Sequence, residues 1–221
     1  MMNHLSKSAQ CVARLVHMRP TLMLLMTLAT SACARHVYTA PMPGQTRAVP
    51  PSVTPAVVVS AVSSAEAVDY LLARGILIPV AGAALSQLHD TFDEGRDGGR
   101  VHRALDILAP RGTAVLSVDS GRILRVGFNS LGGNIIYATD PLGRVVYYYA
   151  HLDAYQPGLV QGATVARGDT IGFVGTTGNA PKDTPHLHFQ VMRMPADGRY
   201  WDGDPINPYP LILLSRDAVR P

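Results

Sequence analysis

Pro185-His186-Leu187-His188-Phe189-Gln190-Val191 alternates polar and apolar residues without a break. In an extended strand alternate side chains share a face, so His186, His188 and Gln190 point one way while Leu187, Phe189 and Val191 point the other. One face suits a core and the opposite face carries two imidazoles. A histidine pair set on a core-facing strand is held more rigidly than one on a loop, which a site with fixed geometry requires. Working outward, His102-Arg103-Ala104-Leu105-Asp106 and Ala150-His151-Leu152 supply further donors. The expectation is that these three segments converge on one metal ion.

Zinc catalysis needs three protein ligands of the His and carboxylate type, with an open position for water. His102 and Asp106 qualify by type, but four residues of straight strand would separate them by roughly 13 Å. The pair is therefore expected on a turn or kinked strand, with Gly98-Gly99 permitting the bend. In Val145-Val146-Tyr147-Tyr148-Tyr149-Ala150-His151, residues 147, 149 and 151 share a parity, so His151 is expected at a strand end beside Tyr147 and Tyr149. Tyr149 and Asn179 are candidates for a cleft wall. His4, His17, His36 and His89 read as packed or surface residues, and His89 is left without a role. Cys11 and Cys33, the only two cysteines, precede the expected domain, so a metal there must use His and carboxylates.

The rest of the chain fits a loop-rich β domain. Hydrophobic residues make up 47% and charged residues 16%, with 20 Gly and 17 Pro, a composition unlike that of a coiled coil or a disordered chain. The net charge of +3 suggests nucleic acid until it is located: Lys7, Arg14 and Arg19 precede the apolar run, and from residue 33 onward 16 basic residues balance 16 acidic ones. A phosphate-binding surface has no compositional support. Turn signals recur about every ten residues, at Asp119-Ser120-Gly121, Ser130-Leu131-Gly132-Gly133, Asp140-Pro141-Leu142-Gly143, Gln156-Pro157-Gly158, Arg167-Gly168-Asp169 and Gly175-Thr176-Thr177-Gly178. Between them lie β-rich runs at 121–128, 134–139, 145–150 and 170–174. The expected fold is mainly β, an antiparallel sandwich or barrel-like domain preceded by a short helix.

Residues 1–33 read as a signal peptide: a basic start, an apolar Thr21–Ala29 too short to span a bilayer as an anchor, then small residues. Met18 is an alternative start. Thr30-Ser31-Ala32-Cys33 resembles a bacterial lipobox, with Thr30 where Leu is usual, and would place a lipid on Cys33; ordinary cleavage after Ala34 is the other reading. Ala34 following the cysteine points to an outer-membrane lipoprotein facing the periplasm, and without the lipid the chain would be soluble in the periplasm. Residues 34–64 form a Pro-rich linker, 65–77 a short helix, 78–210 the main domain and 211–221 a C-terminal tail.

The order His102-x-x-x-Asp106, Ala150-His151-Leu152, His186-Leu187-His188-Phe189 closely resembles the lysostaphin/LytM-type zinc endopeptidases, a family of cell-wall peptidases with the duplicated hybrid motif fold. Gly99-Arg100-Val101, Ile107-Leu108-Ala109-Pro110-Arg111-Gly112-Thr113 and Val165-Ala166-Arg167-Gly168-Asp169-Thr170-Ile171-Gly172 extend the resemblance over about residues 78–210, with Ala104 standing where Gly is common. It implies one zinc ion per chain held by His102, Asp106 and His188. His151 and His186 match the family's two catalytic histidines that do not bind the metal. Spacing alone does not divide the four histidines in this way.

The implied activity is hydrolysis of peptide bonds in peptidoglycan stems or cross-links, with peptidoglycan as the partner and room for a protein regulator. The chain has only Glu66 and Glu94 and no His-Glu-x-x-His, so histidine is the natural base. The alternative is a non-catalytic regulator of cell-wall hydrolases, or a wall-binding lipoprotein, on the same fold. Val165-x-x-Gly168-Asp169-x-Ile171-Gly172 also resembles the hairpins of biotinyl and lipoyl carriers. Those need a lysine at the hairpin tip, and here Lys182 is the only lysine after the signal segment.

Overall fold

Ser63 opens the first helix by closing a capping box: its hydroxyl accepts the Glu66 N–H at 3.2 Å, and the Glu66 carboxylate accepts the Ser63 N–H at 2.8 Å. The helix that follows, α1, runs Ser64–Arg74 and buries Ala67 and Leu71. It stops short of residue 77 because Gly75, at φ 65, turns the chain out of the helix. The computed structural model describes residues 63–215. The signal segment, Cys33, the linker up to residue 62 and residues 216–221 lie outside the described residues.

Beyond α1 the chain is mainly antiparallel β, as expected. The strands are β1 (Gly95–Arg96), β2 (Arg100–Val101), β3 (Leu105–Leu108), β4 (Ala114–Leu116), β5 (Gly121–Asn129) and β6 (Gly133–Thr139), then β7 (Val145–Tyr155), β8 (Thr164–Val165), β9 (Thr170–Val174), β10 (His186–Arg193) and β11 (Asp204–Ile206). A short helix, α2 (Pro208–Leu214), follows, capped by the Asn207 side chain on the Tyr209 N–H. It crosses the expected boundary at 210: Leu211 and Ile212 are buried while Leu213 and Leu214 are exposed, so the first residues of the expected tail belong to the domain's last helix.

β1 and β2 form a small hairpin of their own. The other strands form one sheet with the order β11-β10-β7-β6-β5-β8, in which β3 joins β10 and β9 joins both β7 and β4. β7 connects the two halves. Its first part pairs with β10 through Ala150 opposite His188, and its last part pairs with β9 from Leu152 onward. The inward side chains of β10, Leu187, Phe189 and Val191, are fully buried against Ile107 of β3 and Tyr147 and Tyr149 of β7. Burial of each such side chain stabilises by about 1.5–3 kcal/mol, and this fixes which face of β10 looks outward.

α1 is tied down at two points. Arg74 grips Asp119 with two hydrogen bonds of 2.6 and 2.5 Å, Tyr147 donates to the same carboxylate at 3.1 Å, and Tyr70 donates to Asp140 at 2.6 Å. Asp140 also accepts the N–H groups of Leu142, Arg144 and Val145, closing the β6–β7 hairpin. Asp119 is only 4% exposed while Arg74 is 29% exposed. Arg74→Ala leaves a buried carboxylate without its cation and should cost about 2–3 kcal/mol, below the ~3–5 kcal/mol of a fully buried pair because water reaches the guanidinium. Urea unfolding checks this. Arg74→Lys should recover only part of the loss, since an ammonium cannot reproduce the two-pronged grip.

Candidate metal centre

β3 and β10 run antiparallel with Asp106 directly opposite His188. The ladder therefore sets these two side chains on the same face, a cross-strand pair within reach. His102 reaches them because the chain reverses locally: Arg103 sits at φ 56, a left-handed conformation unusual for a residue with a side chain. The bend expected between His102 and Asp106 is present, but Arg103 makes it and not Gly98-Gly99, which instead turn the β1–β2 hairpin at φ 74.

The three candidate ligand atoms form a small triangle. His102 Nε2 lies 2.9 Å from His188 Nδ1 and 3.0 Å from Asp106 Oδ1, and His188 Nδ1 lies 3.1 Å from Asp106 Oδ1. A tetrahedral ion bound at 2.0–2.1 Å sets its ligands about 3.3 Å apart, so the triangle is a few tenths of an ångström tighter than a zinc site. His102 Nδ1 donates to the carbonyl of Thr91 at 2.9 Å, which places its proton there and leaves Nε2 as a lone pair. A lone pair, a carboxylate oxygen and a second imidazole nitrogen converging this closely suit a cation. The donor set fits zinc or a similar divalent ion.

Burial works against charge here, yet the close approach of the His102 and His188 rings outweighs it and holds the Asp106 carboxyl well below the usual carboxylate range. Burial likewise pushes the His188 imidazole down, which keeps it neutral and able to ligate. The other Asp106 oxygen is held by Arg96, which donates at 2.7 Å and also pairs with Glu94 at 3.0 Å. Sequence reasoning missed Arg96. Its position in Gly95-Arg96-Asp97-Gly98-Gly99 looks like a solvated turn, and only the fold of the β1–β2 hairpin brings it to Asp106.

His151 and His186 stand beside the triangle. The His151 ring centre is 5.0 Å from that of His186 and 5.6 Å from that of His188, and His186 Nε2 is 3.9 Å from Asp106 Oδ1. Each ring has its Nδ1 pinned by a backbone carbonyl, Thr177 at 2.9 Å for His151 and Thr184 at 2.8 Å for His186. Their Nε2 atoms therefore carry lone pairs. Burial pushes the His151 imidazole down to about 4, so it is neutral at pH 7.

The parity expected for β7 breaks at this residue. His151 adopts φ 61 at the joint where β7 leaves β10 for β9, so it turns to the cleft side together with Tyr148 and Ala150. Tyr149 is fully buried in the core, its hydroxyl accepting the Val118 N–H at 3.1 Å. The expected cleft-wall tyrosine is therefore Tyr148 and not Tyr149, whereas Asn179 does line the cleft. The opposite wall is fixed by two glycines: Gly133 at φ 67 and Gly178 at φ 71 meet so closely that a Cβ on either would lie 2.3–2.4 Å from backbone of the other's segment. Together these walls enclose a cleft of about 580 Å³ that contains all four histidines and Asp106. No residue of α1 lines it, and His89 lies exposed away from it.

Residues 100–208 match the family described as Peptidase family M23. An L-Ala–D-Glu endopeptidase of Bacillus subtilis is 35% identical over 117 residues, covering 50% of this chain and 35% of that protein. The DD-carboxypeptidase/endopeptidase Mpg of Neisseria meningitidis serogroup B is also 35% identical, over 121 residues, covering 55% of this chain and 25% of that protein. The chain thus spans about a third or less of these relatives' length. Among solved structures, a putative glycyl-glycine endopeptidase lytM of Ruminococcus gnavus superposes with a TM-score of 0.51 at 27% identity, covering 66% of this chain and 60% of that one.

Arg96→Ala should weaken binding of a divalent metal roughly 10- to 100-fold by freeing the Asp106 carboxylate to rotate. Competition with a chromogenic chelator measures this, and unchanged affinity would show that the arginine does not orient Asp106.

Proposed function

We propose, from the match of residues 100–208 to Peptidase family M23, that this chain is a zinc-dependent endopeptidase that hydrolyses peptide bonds in the stems or cross-links of peptidoglycan at the bacterial cell envelope. The observation that carries the reading is the convergence in one cleft of the His102, Asp106 and His188 ligand atoms, within 3.1 Å of one another, with the two further histidines alongside. His102, Asp106 and His188 would hold the ion. The chemistry that zinc supplies when bound is Lewis acidity towards a water molecule and the scissile carbonyl.

The chain's own residues supply the proton handling. Glu66 is occupied in the α1 capping box and Glu94 pairs with Arg96, so no glutamate faces the cleft. His151 and His186 present Nε2 atoms whose tautomer is set by the Thr177 and Thr184 carbonyls. An unprotonated Nε2 takes the proton of the attacking water; once protonated, it donates to the developing oxyanion or to the departing amine. The two rings share these tasks. Because each Nδ1 is anchored to backbone, neither ring needs to rotate between them.

The export reading of residues 1–33, with a lipid on Cys33 and the domain held at the outer membrane facing the periplasm, belongs to the same proposal and rests on the sequence pattern. In that setting the substrate lies next to the membrane anchor. Cys33→Ala in the full chain should shift the protein from the membrane to the soluble fraction of cells; unchanged fractionation would leave only simple cleavage.

His151→Ala and His186→Ala should each retain about one zinc per chain and lose turnover on purified peptidoglycan by roughly 100- to 10,000-fold. Metal content together with muropeptide release measures both quantities, and loss of zinc in either variant would overturn this division of roles. Chelation should abolish release by the native chain, and added zinc should restore it. Stoichiometric zinc with no release of muropeptides would favour the regulator reading.

A further inference from the structure

The sheet face that floors the cleft does not end with it. The outward face of the sheet continues from His188 through Gln190 and Met192 of β10, with Tyr148 and Val146 beside them on β7 and Tyr137 on β6. Four aromatic rings form an unbroken line along it. Tyr148 lies 6.1 Å from the His188 ring centre and 4.6 Å from that of Tyr137; Tyr137 lies 5.2 Å from Tyr200, and Tyr200 lies 5.0 Å from Trp201. The three tyrosines rest on Ile135, Val146 and Met192, a small apolar cluster separate from the main core. Exposure rises along the line: Tyr148 is buried in the cleft wall, Tyr137 and Tyr200 are half-buried, and Trp201 is 57% exposed.

Leaving a large indole in water at the end of such a line has a cost, and nothing in the core requires Trp201 to be there. Its neighbours are polar. Arg199 pairs with Asp197 at 2.6 Å and reaches Asp202 at 3.6 Å. Rings that meet tilted or edge-on and end in an exposed indole, with phenol hydroxyls, guanidinium groups and carboxylates beside them, match one class of ligand well. A pyranose ring has an apolar C–H face and a rim of hydroxyl and amide groups. The line also continues the sheet face that carries the candidate metal site, so a ligand lying along it reaches into the cleft.

We propose that Tyr148, Tyr137, Tyr200 and Trp201 form a saccharide-binding track that holds the glycan strand whose stem peptide occupies the cleft. This rests on the peptidoglycan reading of the metal site and extends it: the substrate is glycan-attached peptide, and the free peptide is a poorer one. Peptidoglycan joins the two parts covalently, since each stem is linked to an amino sugar. A chain that grips the sugar beside the cleft positions the peptide without needing long contacts along it.

Trp201 is the only tryptophan among the 221 residues, so its emission reports on the end of the track. Titrating the full chain with chitotetraose, an oligomer of N-acetylglucosamine, should give a saturable emission change that Tyr200→Ala weakens about tenfold, the effect of one well-placed aromatic contact. In parallel, KM is compared for stem peptides attached to glycan and for the same peptides released from it by an amidase. The native chain should favour the attached form about tenfold, and Trp201→Ala and Tyr200→Ala should erase that preference. No emission change at millimolar sugar, a preference absent from the native chain, or a response to phospholipid vesicles in place of sugar would overturn the proposal. Saccharide binding without cleavage of either substrate would overturn the peptidase reading and leave the track standing.

Discussion

The register of β3 against β10 is the constraint on which the site depends. Asp106 lies opposite His188 and Leu105 opposite Phe189, so the same pairing that seals the core also sets a carboxylate beside an imidazole. A slip of one residue would turn Leu187 and Phe189 outward and the histidines into the core. Burial of Leu187, Phe189 and Val191 therefore specifies the metal centre as firmly as it specifies the fold. Loss of core packing and loss of the site would be one event.

The backbone also decides where protons sit. Three of the four cleft histidines have Nδ1 against a carbonyl, of Thr91, Thr177 or Thr184. Each carbonyl can only accept, so each ring keeps its proton on Nδ1 and turns a bare Nε2 to the cleft. The loops that carry these carbonyls are held in turn: the Thr177 hydroxyl donates to the Leu152 carbonyl, and the Asn179 N–H donates to the carbonyl of Leu131. The Gly133–Gly178 contact closes the same wall. Polar order in the cleft thus derives from backbone geometry more than from paired side chains, and it persists when a side chain at the rim is changed.

Charge in the cleft is arranged around Asp106. One oxygen faces the imidazoles and the other accepts from Arg96, and Glu94 occupies the remaining part of the guanidinium. On the far side the same sheet face becomes aromatic, without a break between the polar centre and the ring track. α1 takes no part in either. Its Arg74–Asp119 and Tyr70–Asp140 contacts attach it on the core side, away from the residues that line the cleft.

The sequence by itself determined the mainly antiparallel β class, the strands at 121–128, 134–139, 145–150 and 170–174, the alternation of the His186–Val191 strand and the residues His102, Asp106, His151, His186 and His188. Strand alternation and turn chemistry are local, so they are written in local sequence; the family resemblance then separated the expected ligands from the expected catalytic pair. Tertiary structure decided what depends on a single backbone torsion or on a distant neighbour. Arg103 at φ 56 brings His102 onto Asp106, and His151 at φ 61 reverses the parity of β7, exchanging Tyr149 for Tyr148 in the cleft wall. Left-handed torsions at residues with side chains leave no compositional mark, because the surrounding fold imposes them. Arg96 and the Thr91 and Thr177 carbonyls belong to the same class: each acts on a partner ten or more residues away, and only the folded chain brings the two together.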